Sequence, residues 1–375
     1  MASISFPFLD IIYSAFFFLL LFSFFHLSSA SQHYTAIFSF GDSLSDAGNL
    51  LVNGTPPELT TARSPYGMTF FRRPTGRCSN GRLIVDFLAE EFGLPLPPPS
   101  QVRKHNFHKG ANFAITGASA LDFSFFKSKG LVDKIWNSGS LSTQIQWFES
   151  LKPSLCRTEL ACKDYFGKSL FVVGEFGGND YNAPLFSGRK MSEVKTYVPH
   201  VIASISRGIE RLISHGAKDL VVPGVLPIGC FPLYLTLYGT KNRADYNPRT
   251  GCLRRFNALA FRHNMLLRQE LEKLQRRHPG TRIMYGDYYT PTVRFVLSPT
   301  RFGFSNGPLK ACCGAGGEGS YNFNMKAKCG ERGARVCRNP STYVSWDGIH
   351  LTEAAYRSIA RSWLKGPYAD PPILR

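Results

Sequence analysis

The chain has 375 residues, 43% of them hydrophobic, enough to bury a substantial core and too many for a disordered chain. Lys and Arg total 44 against 26 Asp and Glu, a formal net charge of +18. No basic run is interleaved with base-stacking aromatics, so nucleic acid is not an expected partner.

Taken in order, residues 11–25 form an almost unbroken apolar run that is followed by Ser28-Ser29-Ala30. Small residues at Ser28 and Ala30 suit cleavage before Ser31, which predicts a signal peptide over residues 1–30 and a single domain over residues 31–375. No Lys or Arg precedes Arg63, so the basic start of such a leader rests on the amino terminus alone. The run is short for a membrane span of about 20 residues, and no later segment reads as membrane-spanning. Export predicts an extracellular destination: apoplast, cell wall or vacuole. It also suits nine cysteines, at positions 78, 156, 162, 230, 252, 312, 313, 329 and 337. Paired Cys-x-x-Cys spacings are absent, so no metal is expected. An odd count leaves at least one thiol outside an intrachain pair. Cys156 with Cys162, and Cys329 with Cys337, lie close enough to pair locally, although spacing leaves the connectivity open. For an exported chain the positive charge suits retention on an anionic cell-wall polysaccharide, or simply a diffusely basic surface.

Residues 35–40 read as a strand ending at Gly41, and the turn after it presents Ser43 beyond the carboxyl end, where open α/β sheets place reactive groups. Asn53-Gly54-Thr55 is a glycosylation sequon at Asn53, and the other candidate fails because Pro340 follows Asn339. Residues 83–92 carry Ile84, Phe87, Leu88 and Phe92 on one face of an amphipathic helix that stops at Gly93 and Pro95. Residues 112–116 are expected as a short strand running into Gly117, where a backbone N–H can approach a ligand without a side chain in the way.

A second apolar strand at 170–173 leads into Gly177-Gly178-Asn179-Asp180, and the Asn179 amide offers uncharged N–H donors there. Helix at 194–213, strand at 220–222, helix at 253–274 and strand at 282–285 then alternate. That order predicts an α/β fold, a three-layer α/β/α sandwich around a parallel sheet of about five strands. Residues 310–340 read as a disulfide-tied loop. Their glycines have neither the preceding strand nor the following Lys-Ser/Thr of a nucleotide loop, and no cofactor is expected. A last helix, N-capped by Thr352, anchors the loop Trp346-Asp347-Gly348-Ile349-His350.

A serine beyond a strand end becomes a nucleophile when a base takes its proton and donors hold an oxyanion. His350 is the candidate base, and Asp347, three residues earlier, can orient its imidazole. Asp42, Asp46 and Asp180 are expected as acceptors that set loops. Four blocks, Gly41-Asp42-Ser43-Leu44, residues 110–120, Gly177-Gly178-Asn179-Asp180 and the Asp347–His350 loop, occur in the order of the plant GDSL esterase/lipase family of SGNH hydrolases. The chain resembles that family from about Phe38 to Ala360, including Pro65-Tyr66-Gly67, residues 74–77, 222–224 and 227–230, and Cys312-Cys313-Gly314. Within it the chain looks most like the branch holding sinapine esterase and acetylajmalan esterase.

The resemblance implies a flavodoxin-like fold and a catalytic set of Ser43, Asp347 and His350. It assigns the oxyanion hole to the backbone N–H groups of Ser43 and Gly117 and to the Asn179 side chain. Two departures, Ala47 for a common threonine and Ile115-Thr116 for a more apolar pair, reshape the pocket and remove no catalytic group. The expected activity is hydrolysis of a small or medium acyl ester, of a phenolic or other specialised metabolite or of a lipid, through an acyl-enzyme on Ser43. The alternatives are an acyltransferase using the same intermediate and a non-catalytic wall-binding protein.

Overall fold

Continuous apolar runs become the central strands, because a parallel sheet covered on both faces leaves no side for polar residues. β1 (Ile37–Phe40), β3 (Leu170–Val173) and β4 (Asp219–Pro223) are buried along their whole lengths. A computed structural model of the chain describes residues 34–135, 139–316 and 320–374. The expected signal peptide lies outside the described residues, as do positions 317–319 of the glycine-rich loop.

β2 (Gly110–Asn112) and β5 (Arg282–Gly286) complete a five-strand parallel set in the order β2-β1-β3-β4-β5. β6 (Cys313–Gly314) and β7 (Arg335–Val336) form a separate ribbon, and β8 (Ala369–Asp370) joins β5 antiparallel at the sheet edge. This sixth strand was not expected, since two residues carry no periodicity to read. Asp287 N–H donating to Tyr368 O at 2.7 Å continues its pairing.

The strand expected at 112–116 is displaced to 110–112. Phe113 and Ile115 still donate to Ser39 O and Gly41 O, but the Asn49 amide donates to the carbonyls of Asn112 and Ala114 at 2.7 and 2.8 Å. Beyond a single backbone bridge at Asn112, whose carbonyl also accepts from Ser100 N–H, a side chain takes the place of the ladder, and the segment leaves the strand to meet the nucleophile turn.

The helices that position the site are α1 (Ile84–Glu91), α2 (Leu141–Leu155), α3 (Gly178–Phe186), α4 (Met191–Ser214), α5 (Pro232–Tyr238), α6 (Arg254–Arg277) and α7 (Glu353–Lys365). α4 packs on both α2 and α6, and α7 packs on α1, giving the two helical layers of an α/β/α sandwich. α4 buries Val194, Val198, Val201, Ile205, Ile209 and Leu212, the stripe its three-and-four spacing predicts. Thr352 caps α7 by accepting from Ala355 N–H.

Under β1 lies an aromatic cluster centred on Phe148 of α2, whose ring is 5.7, 5.9 and 5.8 Å from those of Phe38, Phe40 and Phe171. Edge-on packing of this kind is worth roughly 0.5–1.5 kcal/mol per pair beyond the area buried, and it fixes the strand that carries the site.

Four disulfides form: Cys156–Cys162, Cys230–Cys252, Cys312–Cys337 and Cys313–Cys329. The first is the expected local pair. Cys329 and Cys337 do not pair with one another; the β6–β7 ribbon sets Cys313 opposite Val336, and the adjacent Cys312 and Cys313 take one partner each. Cys78 is the free thiol, and it is buried.

Candidate active site

β1 lies between β2 and β3, so the chain leaves it to one side and returns on the other. Such a reversal opens a crevice at the strands' carboxyl ends. Gly41 begins the turn there with φ +147°, and a Cβ on it would stand 2.8 Å from Gly174 O. Gln144 of α2 accepts from Gly41 N–H at 2.9 Å and donates to Gly41 O at 2.8 Å, pinning the handover from strand to turn. Asp42 Oδ1 accepts from Leu44 N–H, and Asp46 accepts from the N–H groups of Gly48, Asn49 and Thr116 at 2.7, 2.7 and 2.8 Å. These two aspartates set the loops, as the sequence suggested, and hold Ser43 between them.

On the facing loop, Trp346 N–H donates to His350 O at 2.7 Å and Gly348 N–H to Ser345 Oγ at 3.0 Å. The closed turn lets Asp347 Oδ1 accept from the N–H groups of Ile349 and His350 at 3.0 and 2.8 Å. Its other oxygen, Oδ2, meets His350 Nδ1 at 2.7 Å, and His350 Nε2 meets Ser43 Oγ at 2.8 Å. Residues 307 positions apart are thereby joined in one buried line, Ser43–His350–Asp347.

Burial alone would lower the His350 imidazole, but the Asp347 carboxylate outweighs it and holds the ring well above its ordinary 6.5. Burial acts on Asp347 in the opposite sense, and the imidazole with the two backbone donors overcomes it, keeping the carboxyl below its usual range. Burial pushes Asp42 up to about 7 and Asp180 up to about 6, and raises Glu175 well above a usual carboxyl. Asp42, in the crevice beside Ser43, therefore passes between neutral and charged near neutral pH.

Among the described residues the N–H groups of Ser43 and Gly117 donate to no protein acceptor, and Gly117 has φ +86°. Both are available to an incoming oxygen. Asn179 reaches the same corner because α3 is tied down on three sides. Glu175 Oε1 accepts from Gly178 N–H at 2.8 Å. Asp180 accepts from Ala120 and Leu121 N–H at 2.9 Å each, and Tyr181 Oη lies 2.7 Å from His263 Nδ1 on α6. The Asn179 amide donates to Asp42 Oδ2 and to Ala118 O, each at 2.9 Å, so both its hydrogens are engaged.

Val225, Leu226, Ile228, Phe231 and Tyr234 give the cleft beside Ser43 an apolar wall, and Glu175 and Asn182 interrupt it. Among the described residues no group of His, Cys, Asp and Glu assembles that could hold a metal ion. Asn53 is exposed at the end of a short helix that follows the nucleophile turn. The sequence reading missed Tyr66, whose Oη donates to Asp347 Oδ2 at 2.8 Å, and Glu175 in the cleft wall. Tyr66 belongs to a Pro-Tyr-Gly segment that was legible as a motif, with nothing in its spacing to indicate a partner 281 positions away.

A serine–histidine–aspartate line at the topological switch of a 2-1-3-4-5 sheet is an arrangement suited to a serine hydrolase. The chain belongs to the GDSL esterase/lipase family, since the profile for GDSL-like Lipase/Acylhydrolase matches residues 37–363. It is similar to a GDSL esterase/lipase of Arabidopsis thaliana, 48% identical over 343 residues that cover 90% of this chain and 92% of the relative. A second Arabidopsis GDSL esterase/lipase is 47% identical over 345 residues, 92% and 87% of the two chains. Sinapine esterase of Brassica napus is 46% identical over 346 residues, 91% and 87%. The chain is accordingly a carboxylic ester hydrolase.

Proposed function

We propose that the chain is a secreted serine esterase that cleaves carboxylic esters through an acyl-enzyme on Ser43. The observation that carries this reading is the pair of contacts at His350, 2.8 Å to Ser43 Oγ and 2.7 Å to Asp347 Oδ2. Ser43 Oγ attacks the ester carbonyl while its proton passes to His350 Nε2, and Asp347 holds the imidazole and faces the positive charge that forms. The carbonyl oxygen becomes an oxyanion held by the N–H groups of Ser43 and Gly117, with the Asn179 amide turning toward it from Asp42. As the intermediate collapses, the ester C–O bond breaks and the alcohol leaves with the proton from His350. Water, deprotonated by the same imidazole, then releases the acid and restores Ser43.

The cavity beside Ser43 is small, about 50 Å³, and its wall is largely apolar, which favours a small acyl group with the alcohol lying outward. The similarity to a sinapine esterase favours an ester of a phenolic or other specialised metabolite as the substrate. The apolar run at residues 11–25, with small residues at Ser28 and Ala30, and the four disulfides favour export, with residues 1–30 removed as a leader and residues 31–375 left as a single domain. Asn53, exposed within its sequon, is the expected glycosylation site. The net charge of +18 favours retention on an anionic wall polysaccharide.

A serine-directed phosphonate tests the assignment without knowledge of the substrate. The adduct is expected on the peptide containing Ser43 by mass spectrometry, and labelling elsewhere, or none of folded protein, would overturn it.

A further inference from the structure

We infer that Tyr66 is a positioning residue for ester cleavage, its hydroxyl holding the Asp347 carboxylate in register with the imidazole. The inference rests on the assignment of Ser43, His350 and Asp347 given above. Asp347 has four hydrogen-bond contacts: Oδ1 accepts from Ile349 and His350 N–H, and Oδ2 receives His350 Nδ1 at 2.7 Å and Tyr66 Oη at 2.8 Å. Three of these come from the aspartate's own turn and travel with it. Tyr66 supplies the one contact on this carboxylate from outside the turn, whose backbone is held separately by Leu233 N–H on Gly348 O and Cys313 N–H on Trp346 O.

The phenol is built to stay in place. Its ring is 4% exposed, stands edge-on to Trp346 with centroids 6.0 Å apart, and packs in a cluster with Cys312, Cys313 and Cys329. Cys313 N–H donates to Trp346 O at 2.7 Å, and Thr60 Oγ donates to Cys329 O at 2.5 Å. The two disulfides of the 310–340 loop thus back the ring, and the ring presents one donor to the aspartate. Burial, reinforced by the Asp347 charge, raises the phenol well above 10.0, so the donor keeps its proton through the working range.

Its effect on His350 has a definite sign. A hydroxyl on Oδ2 draws part of the carboxylate's charge toward itself and moderates the pull on the imidazole proton. The other groups facing this pair are Ser43 and Cys78 beside His350, Asp42 across the crevice, and Tyr356 near Asp347. None of them occupies Oδ2. With the hydroxyl removed and the ring kept, the imidazole should become more basic and the aspartate less fixed.

Tyr66→Phe makes that change, and p-nitrophenyl acetate hydrolysis across the acid limb reads it. Misplacing a catalytic group by about an ångström costs up to about a hundredfold, so kcat should fall by about ten- to a hundredfold with KM little changed. The acid limb should move to higher pH. In an Asp347→Asn background the same substitution should no longer move the acid limb, because the carboxylate charge that the hydroxyl moderates is gone. Unchanged kcat and acid limb in folded Tyr66→Phe would overturn the inference, as would a lowered Tm with an unmoved limb, which would reduce Tyr66 to packing. Should Tyr66→Phe not fold, a fluorotyrosine at position 66, a stronger donor, must move the limb to lower pH; an unmoved limb would overturn the inference equally. Hydrolysis surviving in Ser43→Ala would instead sink the underlying assignment, so the two failures are distinguishable.

Discussion

Asn179 enters the free structure with both amide hydrogens already given, to Asp42 Oδ2 and Ala118 O. Its contribution to an oxyanion must therefore appear during reaction, when the negative oxygen competes with Asp42 for the amide. Losing one such donor costs on the order of a hundred- to a thousandfold in kcat. Asn179→Ala should show that loss with the phosphonate still reacting at Ser43, and steady-state kinetics check it; a loss under tenfold would leave the two backbone donors as the whole hole. At this scale the sequence was most legible where neighbours in the chain act together. Asp347 and His350 sit three residues apart on one turn, and motif order linked them to Ser43. Tyr66 and Glu175 were illegible, since their partners or their place in the cleft exist only after the chain has folded.

Among the elements, the segment after β2 and the cysteine loop departed from expectation, each for a tertiary reason. Periodicity read 112–116 as strand, but the backbone pairing stops at Asn112 and the Asn49 amide takes Ala114 O beyond it. Proximity suggested Cys329 with Cys337, whereas the β6–β7 ribbon brings Cys313 to Cys329 and Cys312 to Cys337. The helices were read closely because a stripe such as that of α4 reports burial directly. The observed pairing carries a prediction. Cys313 and Cys329 are separated by 16 positions, and removing such a bridge costs about 3 kcal/mol. Cys313→Ala with Cys329→Ala should lower stability by that order in denaturant titration. It should also lower kcat at temperatures where the variant stays folded, because the loop backs Trp346 and Tyr66. Full activity in a destabilised variant would show the bridge to be a staple without influence on the turn.

Across the whole molecule, buried carboxyls make stability fall as pH rises. Asp42 titrates at about 7 and Asp180 at about 6 in the fold, against 3.8 for each ordinarily. Between those values the folded chain binds more protons than the unfolded one, and ionisation costs folding free energy. Glu175 acts with the same sign. His350 does too: its raised pKa gives stability that is present below 6.5 and lost as pH rises through the folded value. His263, whose burial lowers it to about 3, opposes them below 6.5 and offsets part of the gain, and Asp347, held low, opposes them only in strong acid. Tm should therefore be higher near about pH 5 than near about pH 8, by several degrees in a thermal scan, and a rise over that interval would refute this ledger. Activity should run the other way, since a base must shed its proton. The central claim remains that Ser43 carries the acyl group. It is tested most directly by purifying the protein and Ser43→Ala side by side and measuring hydrolysis of a short-chain p-nitrophenyl ester. Turnover in the first that vanishes in a folded second is the predicted result, and equal turnover in both would contradict it.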